Sequence, residues 1–327
     1  MRIVVWQPAY LGDVVFAGPL TRAVADAWPG AELVFVARPP ADEIARRLPG
    51  VSRVVTYDKL GHDRGLRGAH RVLRELRAFR PELWLSLHGS LRSGLFARAA
   101  SPGRSIGPGG QPGSPFFEVT VPMESLAFPQ RAVAVARAAG VAARPELELR
   151  PTEAERATGR RLVGEGPAVG VIPGSEWETK RWPAARFAEL ARLLLRRGRR
   201  PVLLGAPGER PLCAQIAAEA PGCLDLCGGS VSEALGVLAA CEAAVGGDSG
   251  LVHAARALGA PAVVLFGPTD PGRHVAAAGQ AFVSLGLPCA PCSDHGTRRC
   301  PLAHHRCLVD LAAERVDREI GAVEGMA

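Results

Sequence analysis

Aromatic residues make up only 5% of the 327-residue chain, and no basic stretch has aromatics interleaved with it. The stacking surface of a single-strand nucleic-acid binder is therefore missing, and nucleic acid is not expected as a partner. No uninterrupted apolar run approaches the ~20 residues needed to span a bilayer. The opening Met1–Pro8 carries one basic residue and an apolar run of only four, Ile3 to Trp6, before Gln7, too little for a signal-peptide apolar region, so a cytoplasmic chain is expected. There is no Asp-x-Asp to hold a divalent ion between two phosphates. Nor does a Gly-x-Gly-x-x-Gly follow the first apolar run, which disfavours a dinucleotide dehydrogenase. Cysteine is absent from the first 212 residues, and all eight lie beyond them. Without a secretion signal these read as thiols or metal ligands before disulfides.

What is present is globular in character, with 47% hydrophobic and 22% charged residues. The length exceeds the roughly 250 to 300 residues at which single cores stop growing, so two domains are expected. The net charge of +7 comes from 39 basic residues, nearly all Arg. That suits phosphate-bearing or anionic-surface partners, although a coding bias toward Arg, Ala, Gly and Pro gives the same excess.

Short apolar runs alternate with amphipathic helical stretches, the pattern of parallel sheets covered on both faces by helices. In the first half, strands are expected at 3–6, 33–36, 53–56 and 83–87, with helices at 14–28, 67–79 and 130–139. Residues 101–129, crowded with Pro and Gly, read as irregular and mobile. The extended segment 144–151 reads as a linker. The second half restarts with strands at 168–172, 201–204, 243–246 and 262–266 and helices at 184–197, 208–219 and 251–258. The fold class is thus α/β, with Rossmann-like domains over 1–150 and 151–308. A final helix within 309–327 is expected to cross back to the first domain. Sites in such sheets gather in loops at the C-terminal strand ends.

Three of those loops carry suitable chemistry. Asp13, at the start of a helix after the first strand, is either a helix cap or a carboxylate able to take a proton from an acceptor hydroxyl; the two are compatible. Residues 173–183 supply a flexible Gly174, the hydroxyls of Ser175 and Thr179, and the charges of Lys180 and Arg181 just before a helix, as a diphosphate cradle requires. Trp177 and Trp182 are equally suited to packing that loop. The turn Gly246-Gly247-Asp248-Ser249-Gly250-Leu251-Val252-His253 joins strand to helix with glycines that let backbone N–H groups approach a phosphate. His253 reads either as a ligand contact or as a satisfied buried imidazole.

These motifs resemble those of the heptosyltransferases of bacterial lipopolysaccharide core assembly. The matching segments are Leu11-Gly12-Asp13, His88-Gly89-Ser90-Leu91-Arg92-Ser93, Pro173-Gly174-Ser175 with Thr179-Lys180-Arg181-Trp182-Pro183, Asp248 to His253, and Phe266-Gly267-Pro268-Thr269, in order. The resemblance implies the GT-B fold, two Rossmann-like domains facing each other across a cleft. It also implies inverting, metal-independent transfer of a heptose from ADP-heptose to the lipopolysaccharide inner core. By analogy Asp13 is the base, Ser175 and Lys180 hold the diphosphate, and the backbone of Asp248, Ser249, Gly250 and Leu251 contacts it. Glu209 then meets ribose hydroxyls, and Arg92 and Ser93 the acceptor, a lipid-anchored anionic glycan at the cytoplasmic face of the inner membrane. Peripheral membrane contact follows. The alternatives are another nucleotide-sugar transferase or an epimerase of the same fold, or a non-catalytic metal- or nucleotide-binding protein.

Cys289, Cys292, Cys300 and Cys307 form a cluster similar to a segment in one of the two core-assembling branches of that family. No cofactor is required by this reading. The cluster is either a set of structural thiols or a structural metal site, since the residues offer enough soft ligands but fit no standard finger.

Overall fold

Strands that are apolar on both faces are stable only between two layers of helices, and each half of the chain builds such a sandwich. The computed structural model describes residues 1–325. They divide into two compact units, Met1–Arg150 and Pro151–Ala327.

The first unit contains β1 (Arg2–Trp6), β2 (Glu32–Ala37), β3 (Arg53–Thr56), β4 (Leu83–Ser86), β5 (Arg104–Pro108) and β6 (Val119–Val121). All are parallel, in the order β3-β2-β1-β4-β5-β6. The second unit repeats the plan with β7 (Ala168–Ile172), β8 (Arg200–Leu203), β9 (Leu224–Asp225), β10 (Ala243–Gly247), β11 (Ala262–Leu265) and β12 (Gln280–Val283), ordered β12-β11-β10-β7-β8-β9. Counted within each unit, both sheets follow the 3-2-1-4-5-6 order of the Rossmann fold. The order reverses between β1 and β4 in one unit and between β7 and β10 in the other, which opens a crevice at those strand ends.

The period-2 geometry of a strand shows in the packing. Val169, Val171 and Val245 join one core of the second unit, while Ala168, Ile172 and Ala244 join the core on the opposite face. In the first unit Trp6 packs against Trp84 and Phe96 at ring distances of 5.2 and 4.6 Å.

Three sequence expectations change. The helix expected over 14–28 is two helices, Leu11–Val15 and Gly18–Ala27, because Pro19 cannot donate into the preceding turn and instead opens a new helix. The stretch 101–129 is not irregular throughout, since β5 and β6 lie in it and complete the sheet edge. The tail does not use its apolar stripe on the first unit. In the Ala313–Glu324 helix, Val316, Ile320 and Val323 are buried in the second unit's own core beside Leu190 and Leu194, and Trp182 Nε1 donates to Leu311 O at 3.1 Å. Residues 326 and 327 of that expected segment lie outside the described residues.

Candidate active site

The reversal in the second sheet brings the loops after β7 and β10 side by side. Lys180 ends a short 3-10 turn, Glu178–Lys180, and its Nζ lies 2.6 Å from Asp248 Oδ2, directly beyond β10. This approach is possible because residue 247 is glycine: a Cβ there would fall 2.4 Å from the Lys180 carbonyl oxygen. Asp248 is 7% exposed and fully engaged. Its Oδ2 also accepts from Thr269 Oγ1 at 2.9 Å, and its Oδ1 lies 2.8 Å from His253 Nε2. Burial alone would push this carboxyl up, but the His253 hydrogen bond and the Lys180 ammonium outweigh it and hold the group well below the usual carboxylate range. His253 is 2% exposed and contacts Arg256 through its other ring nitrogen at 3.0 Å. Of its two readings the buried, satisfied imidazole holds.

Beyond Asp248 the Gly250–Ala257 helix begins. Its N-cap, Ser249, makes no capping bond, and its Oγ is buried with no hydrogen-bond partner among the described residues. The first N–H groups of that helix are thus left for an outside acceptor, with the positive end of the helix dipole behind them. Ser175 is buried beside the same sheet edge, and its carbonyl accepts from Arg181 Nε at 2.8 Å. The Glu209 carboxylate caps Ala206 N at 2.7 Å and presses on Gly174, where a Cβ would fall 1.9 Å from Oε1. Of the two tryptophans, Trp182 is the packing one, 1% exposed with its ring 4.9 Å from Phe187.

Thr179 differs from its expected role. Its hydroxyl donates to Thr297 O at 2.8 Å and accepts from Thr297 N at 2.8 Å, so it ties down the Cys-rich segment instead of facing a ligand. His305 meets Thr179 O at 2.7 Å, and the N–H groups of Cys292 and Ser293 both donate to Pro268 O. Thr269 closes the Phe266–Thr269 segment, whereas Arg256 and Thr297 carry no sequence signal. A hydroxyl and a guanidinium that act only through another side chain leave no motif.

All eight cysteines are free thiols. Among the described residues, two groups have metal-type ligand atoms within 4.8 Å of one another: Asp248 with His253 and His274, and Cys213 with Asp225 and Cys227. The Lys180 ammonium already occupies the first group's carboxylate and would repel a cation. The four thiols from Cys289 to Cys307 do not converge to that spacing, and Cys307 is buried in the core.

In the first unit, the reversal between β1 and β4 gathers Asp13, His88 and Arg92. Asp13 lies at the third position of the Leu11–Val15 helix and accepts the Tyr10 N–H at 3.1 Å, so the capping reading holds, with Tyr10 at the N-cap position. Ser93 is 1% exposed and shares its hydroxyl among Trp6 Nε1, His88 Nδ1 and Ser90 Oγ at 3.0, 2.8 and 3.0 Å. It is therefore an internal strut and not an acceptor contact. Arg92 is exposed on the first turn of the Leu91–Ala100 helix. Two further cations brace the Asp13 loop: Lys59 Nζ donates to Pro8 O at 2.9 Å and Arg38 Nε to Ala9 O at 3.0 Å. Burial and the charges of Arg38 and Arg92 push the Lys59 ammonium down. The signal for Lys59 was its type, since the only other lysine in this Arg-rich chain is Lys180.

Two Rossmann sheets, one with a lysine and a helix N-terminus at its crevice and the other with a carboxylate among cations, define a GT-B glycosyltransferase. The chain belongs to glycosyltransferase family 9 (heptosyltransferase), whose family description matches residues 69–302. It is 29% identical to lipopolysaccharide heptosyltransferase 2 of Salmonella typhimurium, over 98% of this chain and 97% of that one. It is 30% identical to lipopolysaccharide heptosyltransferase 1 of Pseudomonas aeruginosa, over 96% and 92% of the two chains. Among solved structures it resembles Escherichia coli ADP-heptose lipopolysaccharide heptosyltransferase II, with TM-score 0.81, 24% identity and coverage of 99% and 98%.

Proposed function

We propose that this glycosyltransferase moves a heptose from ADP-heptose to the lipopolysaccharide inner core, with inversion and without a metal ion. The observation that carries the donor half is the unfilled N-terminus of the Gly250–Ala257 helix beside the Lys180 ammonium. Backbone N–H groups and a buried ammonium together offer what a nucleoside diphosphate needs as charge builds on it during departure. The absence of Asp-x-Asp leaves that role to protein charges. Glu209 would accept from ribose hydroxyls, and Ser175 would add a donor to the diphosphate.

In the reaction the acceptor hydroxyl loses its proton to the Asp13 carboxylate as its oxygen bonds to the anomeric carbon. The bond from that carbon to the ADP oxygen breaks, and ADP leaves with the electron pair. A single displacement inverts the anomeric centre. Arg92, with Arg38 and Lys59 around the same loop, would meet the anionic groups of the acceptor. Peripheral contact with the cytoplasmic face of the inner membrane is supported by Leu60 and Leu66, 70% and 89% exposed, with Arg64 and Arg67 beside them.

The test is incubation with ADP-heptose and core-truncated acceptors, read by the mass gained. One heptose per acceptor is expected, and mass gain only with a different sugar nucleotide would overturn the donor assignment. Asp13→Asn should lower kcat by about two orders of magnitude or more while ADP affinity stays within about twofold. Undiminished turnover in that variant would remove Asp13 as the base.

A further inference from the structure

Cysteines that take no part in the transfer chemistry meet at the edge of the second sheet. Cys213, on the Arg210–Glu219 helix, is fully buried, and Cys227 is half-buried in the turn after β9. Asp225, the last residue of β9, is exposed. The two Sγ atoms and an Asp225 oxygen lie within 4.8 Å of one another although three separate elements supply them. The turn is held by Cys227 N, which donates to Asp225 Oδ1 at 2.9 Å, and Cys227 Sγ lies 3.6 Å from Ala206 O. Gly205 makes the packing possible. A Cβ there would sit 2.9 Å from Cys227 Sγ and 2.8 Å from Glu209 Oε2, so thiol and carboxylate crowd the same face of the glycine.

We propose that Cys213, Cys227 and Asp225 form a binding site for a soft divalent cation of the zinc class. Two thiolates and a carboxylate are three of the four ligands such an ion takes, and the exposed side at Asp225 leaves the fourth position to water. Small movements suffice to bring ligands already within 4.8 Å to metal-bond distance. Each thiol gives up its proton to solvent as its sulfur–metal bond forms, with no change in oxidation state. The cation would tie the β9 turn to the Arg210–Glu219 helix, which directly follows Glu209, the residue that the donor reading assigns to ribose. The site itself does not depend on that reading.

Cd2+ titrated into the reduced full-length chain reports thiolate binding by its ultraviolet charge-transfer band. Wild type should show a tight step that Cys227→Ser abolishes and that Asp225→Asn weakens about tenfold or more. Cys292→Ser, in the other cysteine segment, should keep it. Asp225 is exposed and outside the core, so its variant reads the site even if a cysteine variant folds poorly. A Cys227→Ser or Asp225→Asn titration superimposed on wild type would overturn the proposal. So would loss of the tight step in Cys292→Ser.

Discussion

His88 shows how much one side chain can bind stability to pH. Burial first, and the Lys59 charge second, push its imidazole down to about 4. An unfolded chain takes up that proton near the ordinary value of about 6.5, whereas the folded one refuses it until about 4. The stabilisation is complete above the unfolded value and is lost as pH falls through this window, up to about 3 kcal/mol. Urea midpoints measured across it should drop for wild type and flatten for His88→Asn. Parallel curves for the two proteins would show that His88 does not carry the effect. At this scale the places of Asp13, Lys180 and the Asp248 turn beyond strand ends were legible, because each is a charge or glycine between an apolar run and a helix. It misjudged Thr179 and Ser93, because a hydroxyl in a loop reads the same whether it faces a ligand or braces a neighbour. Only the partners Thr297 and Trp6 decide between those roles.

Among the elements, close approach without side chains does the positioning. Gly247 lets β10 lie against the Lys180 carbonyl, and Gly159 lets the Glu153–Val163 helix cross the Val231–Leu238 helix, where a Cβ would fall 1.9 Å from Gly236 O. Backbone on the far side cannot yield as a flexible side chain does. Gly247→Ala should therefore push the Glu178–Lys180 turn away, weakening ADP binding and destabilising the chain by about 1–3 kcal/mol. Calorimetric titration with ADP and denaturant unfolding check both effects. Unchanged ADP affinity would mean that the turn does not depend on this contact. Helix and strand identities were mostly legible from periodicity, since central strands such as β1, β2 and β7 are apolar on both faces. The misread parts include those where periodicity is weak: Pro19 hidden inside an apolar stripe, and the short strands β5 and β6 among prolines.

At the level of the whole molecule, each unit closes its own sheet and buries its own core. The tail helix belongs to the second unit, so Pro151–Ala327 carries everything its sheet needs. Produced alone, that unit should fold cooperatively and bind ADP within about tenfold of the full chain, while transferring no sugar. A fragment that is soluble and folded yet blind to ADP would show that donor recognition draws on the first unit. Two domains and their boundary were readable from chain length and from the restart of the alternation at β7. Where the tail packs was not, because an apolar stripe states that a helix is covered and leaves open by what.

The Lys180–Asp248 pair has one more consequence. On the donor reading proposed above, a diphosphate arriving at this turn would not meet a bare cation; it would compete for an ammonium with a carboxylate that His253 and Thr269 keep in place. Binding would then be an exchange of counter-ions, with a partner for the cation already beside the outgoing product. Such a site would trade affinity for release, with Asp248 reclaiming Lys180 as the product departs.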